Sequence, residues 1–220
     1  MTEKKRKIMV TGFLPFNGEP VNPSREVALR LTSPENCELV TAILPVEYEK
    51  AGTALAEEVR RHQPDILISL GQGGLRPALN IEFVAINFAT TRSSDGEHLI
   101  ADEGGRVMDD VVFDPNGPRA YFATLPVRRM CRAARSAGVP AGISYSAGTY
   151  LCNYTMYTGL KLGAESYPAM KSTFIHLPFL PEQLTWEQEV TNWPISYSMP
   201  LEDMVKGIQA ILEDLAAGED

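Results

Sequence analysis

Cys152 stands in the run Ala147-Gly148-Thr149-Tyr150-Leu151-Cys152-Asn153, where small residues predict a turn from a strand into a helix. The free N–H groups and positive dipole end of such a helix favour a thiolate, the reactive form of cysteine. A thiol nucleophile also needs a base, and the chain offers three histidines, His62, His98 and His176. His62 ends a helical pattern beside Arg61 and Gln63, where a cation complements the carbonyl end, and His98 lies in an irregular stretch. His176 differs: it closes the run Thr173-Phe174-Ile175 just ahead of Leu177-Pro178, at the carboxyl end of a strand, where α/β proteins collect their ligands. A carboxylate that fixes the imidazole tautomer would complete a triad, and Glu82 is a candidate because it interrupts Ile81-Glu82-Phe83-Val84-Ala85-Ile86. Each of the three has a plainer reading beside this one. A free cysteine is commonly a small buried hydrophobe, a strand histidine a hydrogen-bonded core residue, and a strand glutamate an edge residue facing water.

The elements that must position these side chains follow from hydrophobic period and turn chemistry. Lys7 to Phe13 reads as a buried strand closed by Gly and Pro, and Asn22-Pro23-Ser24 supplies a cap and a fixed φ for a helix through Leu31. Glu38 to Leu44 is a second strand; Tyr48 to His62 carries Ala51, Leu55, Ala56 and Val59 at helical spacing; Asp65 to Leu70 is a third strand. The third strand runs into Gly71-Gln72-Gly73-Gly74, a turn that can bring backbone N–H groups close to a small ligand. It is a weak match to a dinucleotide fingerprint, since Arg76 occupies a position that needs glycine. Asn80 to Phe88 is predicted as one strand, Ala89 to Arg119 as a long irregular excursion, and Ala120 to Thr124 as the return of the regular pattern. A helix from Val127 to Ala137, a strand at Ala141 to Ser144, a helix opening near Cys152, a strand at Lys171 to Leu177 and an amphipathic helix at Leu201 to Leu215 complete the chain. Alternating strands and helices predict an α/β fold: a three-layer α/β/α sandwich around a mostly parallel sheet, with residues 1–220 as one domain.

Composition narrows the function classes. The chain has 220 residues, 44% of them hydrophobic, and carries 20 basic against 28 acidic side chains for a formal charge of −8. That balance disfavours nucleic acid and anionic membrane as partners. No apolar run reaches the roughly 18 residues a membrane span requires, and Gly12 and Pro15 break the stretch after the basic run Lys4-Lys5-Arg6-Lys7, so it does not read as a secretory signal. The expectation is a soluble, cytoplasmic protein. The three cysteines, Cys37, Cys131 and Cys152, are too few and too widely spaced for a disulfide framework or a CxxC metal site. Cys37 begins a strand and Cys131 lies within a helix, and both read as filling.

Taken in order, Val10-Thr11-Gly12-Phe13-Leu14-Pro15-Phe16 with Asn22-Pro23-Ser24, then Glu82-Phe83-Val84-Ala85-Ile86-Asn87, then Ala147 to Asn153, then Phe174-Ile175-His176-Leu177-Pro178, and finally Ser198 to Met204, resemble the pyroglutamyl peptidase I family across nearly the whole chain. The resemblance implies an α/β/α sandwich and a cytosolic cysteine exopeptidase, also called pyrrolidone-carboxylate peptidase. Such an enzyme removes an N-terminal pyroglutamyl residue from peptides without metal or organic cofactor and is commonly a homo-oligomer, a dimer or a tetramer. It implies Cys152 as nucleophile, His176 as base and later acid, Glu82 as the group orienting the imidazole, and Arg92 as an aid to the oxyanion. Phe13, Phe16, Gln72 and Tyr150 fall where the family shapes its pyroglutamyl pocket. An aromatic clamp with amide-directed hydrogen bonds suits a flat, neutral lactam. The chain departs from the family's pattern at Tyr150, usually Phe; at Phe83, usually Arg; and at Ser93-Ser94-Asp95-Gly96-Glu97. These departures bear on pocket polarity and substrate range. Three other readings stand beside the peptidase at this point: an amidase or cyclic-imide hydrolase acting on a small lactam-like compound, a non-catalytic pyroglutamyl-binding protein, and a nucleoside phosphorylase-like ligand site suggested by the α/β pattern and Gly71 to Gly74.

Overall fold

Strands covered on both faces must be apolar on both faces, and their residues here sort alternately into two cores. The computed structural model describes residues 5–92, 98–184 and 197–218. Ile8 and Val10 of β1 (Arg6–Phe13), Ile66, Ile68 and Leu70 of β3 (Ile66–Gln72), and Ile175 and Leu177 of β8 (Lys171–Leu177) enter one core. Met9, Leu67 and Phe174 of the same strands enter the other. The first core is roofed by α1 (Pro23–Ala28), α3 (Val127–Ser136) and α5 (Leu201–Ala217) through Val27, Met130, Met204, Ile208 and Ile211. The second is roofed by α2 (Tyr48–His62) and α4 (Leu151–Glu165) through Leu55, Val59, Met156 and Leu160. This is the three-layer arrangement expected of the sequence.

The central sheet runs in the order β2-β1-β3-β8-β4-β7, with β2 at Cys37–Leu44, β4 at Leu79–Glu82 and β7 at Ala141–Ser144. Its first four strands are mutually parallel; β4 lies antiparallel to β8 and parallel to β7. The stretch predicted as one strand, Asn80 to Phe88, is two. After Glu82 the Phe83 N–H makes a last bond to the Ser144 carbonyl (2.8 Å) while the Phe83 carbonyl accepts from Ala123 (2.9 Å). The chain thereby leaves the central sheet and forms a separate antiparallel pair, β5 (Val84–Ile86) with β6 (Ala120–Phe122). The first helix also stops earlier than Leu31. Arg30 donates to the Val27 carbonyl, a tighter closing turn that ends the ladder at Ala28.

The irregular excursion is pinned rather than loose among its described residues. Ala89 and Val111 bridge, the Thr91 and Met108 backbones and the Thr91 hydroxyl bond to one another, and Asn87 binds the Asp114 backbone in both directions. Asp102 caps α2 from a distance, accepting the Tyr48 N–H at 2.9 Å where Glu47 supplies no side-chain cap. The Ser93-to-Glu97 departure lies outside the described residues. No described helix is long and apolar enough to cross a membrane.

Candidate active site

The carboxyl ends of β3 and β8 and the start of α4 converge, and register explains how. Gly71 of β3 is paired with His176 of β8, so both face the α2/α4 side of the sheet. A Cβ on Gly71 would stand 2.9 Å from the Cys152 sulfur and 2.5 Å from Phe174 Cζ. A glycine is therefore required for the helix to bring its second residue, Cys152, down onto the strand ends. The helix start is held by the buried Asn153, whose side-chain amide donates to the Ile86 and Phe88 carbonyls (2.8 and 3.0 Å) and accepts from the Ile86 N–H (2.8 Å). Thr149 adds a hydroxyl bond to the Thr90 carbonyl (3.0 Å).

His176 meets a carboxylate because β4 runs antiparallel to β8. Glu82 is paired with Phe174, which makes it the diagonal same-face neighbour of His176. Its Oε1 lies 2.8 Å from His176 Nδ1, and the glutamate is fully buried. β4 lies between β8 and β7, so the edge-strand reading of Glu82 fails. With Nδ1 engaged, the ring's other nitrogen is left for the Cys152 sulfur, whose proximity acts on the charge of the imidazole. Burial opposes charge on this histidine, but the neighbouring Cys152 sulfur and then Glu82 outweigh it and push the pKa up to about 9. The pair is thus arranged as imidazolium beside a sulfur that can carry the negative charge, at the positive end of a helix.

Among the residues carried by the resemblance, the described structure places the rest as follows. Phe13 is buried in the α2/α4 core, and its N–H is held by the Ser24 hydroxyl (3.0 Å), which in turn donates to Asn22 Oδ1 (2.8 Å). The same asparagine caps α1 and donates to the Leu14 carbonyl (3.0 Å), so the Asn-Pro-Ser run fixes the loop that presents Phe16. Gly12 permits this clamp, since a Cβ there would lie 2.4 Å from the Ser24 carbonyl oxygen. Phe16 and Tyr150 line a cavity of about 220 Å³ with Thr90, Thr149 and Arg92. Arg92 pairs with Asp109 at 2.7 Å. Burial, then the nearby Asp102, push the Tyr150 phenol up to about 12, so it stays a neutral hydroxyl in that cavity. Gln72 accepts from Gln183 Nε2 at 3.1 Å. His62 sits 3.2 Å from Glu58 on α2, and Cys37 and Cys131 are buried in the core under α1, α3 and α5. No group of three or more His, Cys, Asp or Glu among the described residues is placed to hold a metal ion.

One member went unseen in the sequence. Arg76 Nη1 reaches Glu82 Oε1 at 3.1 Å, so the carboxylate oxygen that meets His176 Nδ1 also meets a guanidinium. Nothing in the local pattern marks Arg76 except its place just past the glycine turn, where it had served only to spoil a nucleotide fingerprint.

The family model for pyroglutamyl peptidase matches residues 6–217. The chain belongs to the pyroglutamyl peptidase family. It is 38% identical over 207 residues to a pyrrolidone-carboxylate peptidase of Streptococcus suis, covering 94% of this chain and 90% of that protein. It is 39% identical over 209 residues to the one of Thermosipho africanus, covering 94% and 98%. The crystal structure of pyroglutamyl peptidase I from Bacillus amyloliquefaciens superposes with a TM-score of 0.87 at 32% identity, covering 98% of this chain and 97% of that one. A mutant pyrrolidone carboxyl peptidase from Pyrococcus furiosus superposes at 0.84 and 34%, covering 94% and 97%. Membership of the pyroglutamyl peptidase family and the α/β fold, both expected from the motifs, are thereby established.

Proposed function

We propose that this protein is a cysteine exopeptidase that removes N-terminal pyroglutamyl residues from peptides, with Cys152, His176 and Glu82 as its triad. The observation that carries the reading is the buried Glu82–His176 pair, 2.8 Å apart, beside a cysteine at the first turn of α4. The Cys152 thiolate attacks the pyroglutamyl carbonyl carbon, and His176 gives its proton to the departing peptide amine as the C–N bond breaks. Water, deprotonated by the same imidazole, then cleaves the thioester to free pyroglutamate and restore the thiol. Backbone N–H groups at the start of α4, with Arg92, stabilise the oxyanion. Phe13, Phe16, Gln72 and Tyr150 hold the lactam, Tyr150 adding a hydroxyl to an otherwise aromatic wall. No metal or organic cofactor enters this scheme. Residues 1–220 act in it as one domain, supported by cores that draw on strands from β1 to β8 and on α5 near the C-terminus. Self-assembly into a dimer or tetramer rests on the resemblance alone, and a cytoplasmic location on the resemblance together with the sequence reading; sedimentation of the purified chain tests the former.

The test is release of a fluorophore from a pyroglutamyl amide under reducing conditions, beside Cys152→Ser and a prolyl amide control. Turnover by the parent alone, selective for the pyroglutamyl amide, supports the proposal. Silence of both parent and variant, with free pyroglutamate still bound, replaces it with the binding-protein reading, and silence without binding points to another small lactam.

A further inference from the structure

Glu82 is fully buried, and both of its recorded partners, His176 Nδ1 and Arg76 Nη1, meet the same oxygen, Oε1; the other oxygen, Oε2, is buried without a hydrogen-bond partner. A buried carboxylate with so few partners is stable as an anion only while cationic charge stays beside it. In the mechanism above, His176 cannot supply that charge throughout, because it becomes neutral each time it protonates the leaving amine. Arg76 keeps its proton under all working conditions. Its guanidinium also donates to the Ser144 hydroxyl at the end of β7 (2.7 Å) and to the Ser146 carbonyl (2.8 Å). Ser146 in turn accepts from the Gly148 N–H (3.3 Å) in the connection that delivers Cys152.

We infer that Arg76 is a positioning residue for the triad: it holds Glu82 ionised through the catalytic cycle and ties that carboxylate to the β7–α4 connection that carries the nucleophile. The inference rests on the triad reading and adds a fourth member that acts through Glu82 rather than on the substrate. Among the described residues, the titratable and charged groups facing Glu82 are His176 from β8, Arg76 from the turn after β3 and, through His176, Cys152 from α4; β7 contributes the neutral Ser144.

Two readouts test this, the pH dependence of kcat/KM on a pyroglutamyl amide and the pH dependence of Cys152 alkylation by iodoacetamide. The second needs no substrate, so it separates failure of this inference from failure of the peptidase reading. Loss of the guanidinium leaves the buried Glu82 Oε1 with His176 as its remaining partner. In Arg76→Gln the acid limbs of turnover and of alkylation both move to higher pH, leaving a severalfold deficit on the acid side relative to the optimum. Arg76→Lys keeps the charge but not the two-pronged anchor, so its acid limbs stay with the parent while kcat falls severalfold. If Arg76→Gln does not fold, Arg76→Lys alone decides. Parent-like limbs with reduced kcat support the inference, and either displaced limbs or an unchanged enzyme overturns it. A Gln variant whose limbs superimpose on the parent's, whatever its overall activity, also overturns it.

Discussion

Adding one methyl group at Gly71 should damage the site more than its size suggests. The new Cβ of Gly71→Ala would sit 2.5 Å from Phe174 Cζ and 2.9 Å from Cys152 Sγ, where ordinary contact begins at 3.4 Å. The ring must therefore give by about 0.9 Å and the sulfur by about 0.5 Å. Neither yields easily: Phe174 is fully buried, and the helix that carries the half-buried Cys152 is pinned by Asn153 to Ile86 and Phe88. Overpacking of this kind costs about 1–3 kcal/mol, which for a chain this long lowers Tm by about 2–12 °C. A reacting atom displaced by about 1 Å can cost about 100-fold in rate, so a half-ångström retreat of the sulfur predicts a loss of about 10- to 100-fold in kcat. Two neighbours calibrate the series. A Cβ on Gly73 would meet His176 Cδ2 at 3.0 Å, predicting a milder loss, while on Gly142 the nearest atom is Asn80 Oδ1 at 3.9 Å, predicting none. Steady-state kinetics on a pyroglutamyl amide and thermal unfolding by circular dichroism read both effects. Full activity at an unchanged Tm in Gly71→Ala would refute the close approach of helix and strand on which the site is built.

Activity should fall as pH rises through about 9, where His176 loses its proton, and Glu82→Gln should bring that limb down toward the ordinary histidine value of 6.5; a pH–rate profile of both enzymes checks it. Because the folded-state pKa is raised, the stability it contributes is fully present below 6.5 and is lost as pH climbs through about 9; parallel melting curves should show a decline over that window that is smaller in Glu82→Gln. Asn153→Ala strands the Ile86 and Phe88 backbone groups and should cost about 2–3 kcal/mol, read as a lower Tm with kcat reduced. Ser24→Ala frees the Phe13 N–H and should raise KM severalfold with little change in kcat, a split that kinetics at saturating substrate would show.

Much of this site was legible because its members mark transitions that sequence patterns reveal. Cys152 follows small residues that turn strand into helix, His176 stands near the carboxyl end of the strand Lys171–Leu177, and the Asn22-Pro23-Ser24 run declares its own cap. What the chain could not disclose depends on strand partners far apart in sequence. Whether Glu82 faced water or the core turned on β4 being inserted antiparallel between β8 and β7, and its local pattern fits an edge equally well. The break at Phe83 is invisible to periodicity, since an unbroken apolar run, Phe83 to Ile86, continues across it while the chain changes sheets. Arg76 escaped for the same reason: its partners Glu82, Ser144 and Ser146 are gathered by the β4–β7 register. Distant capping of α2 by Asp102 is likewise a tertiary event.

The central claim is that Cys152 carries the pyroglutamyl group as a thioester. Acid quenching of the enzyme during turnover of a pyroglutamyl ester, followed by peptide mass spectrometry, tests it most directly. The account predicts that the peptide containing Cys152, and neither that of Cys37 nor that of Cys131, gains the mass of one pyroglutamyl group, and that the adduct disappears on chase without substrate and never forms in Cys152→Ser. Turnover at full rate in Cys152→Ser, or an adduct on a different residue, would contradict it.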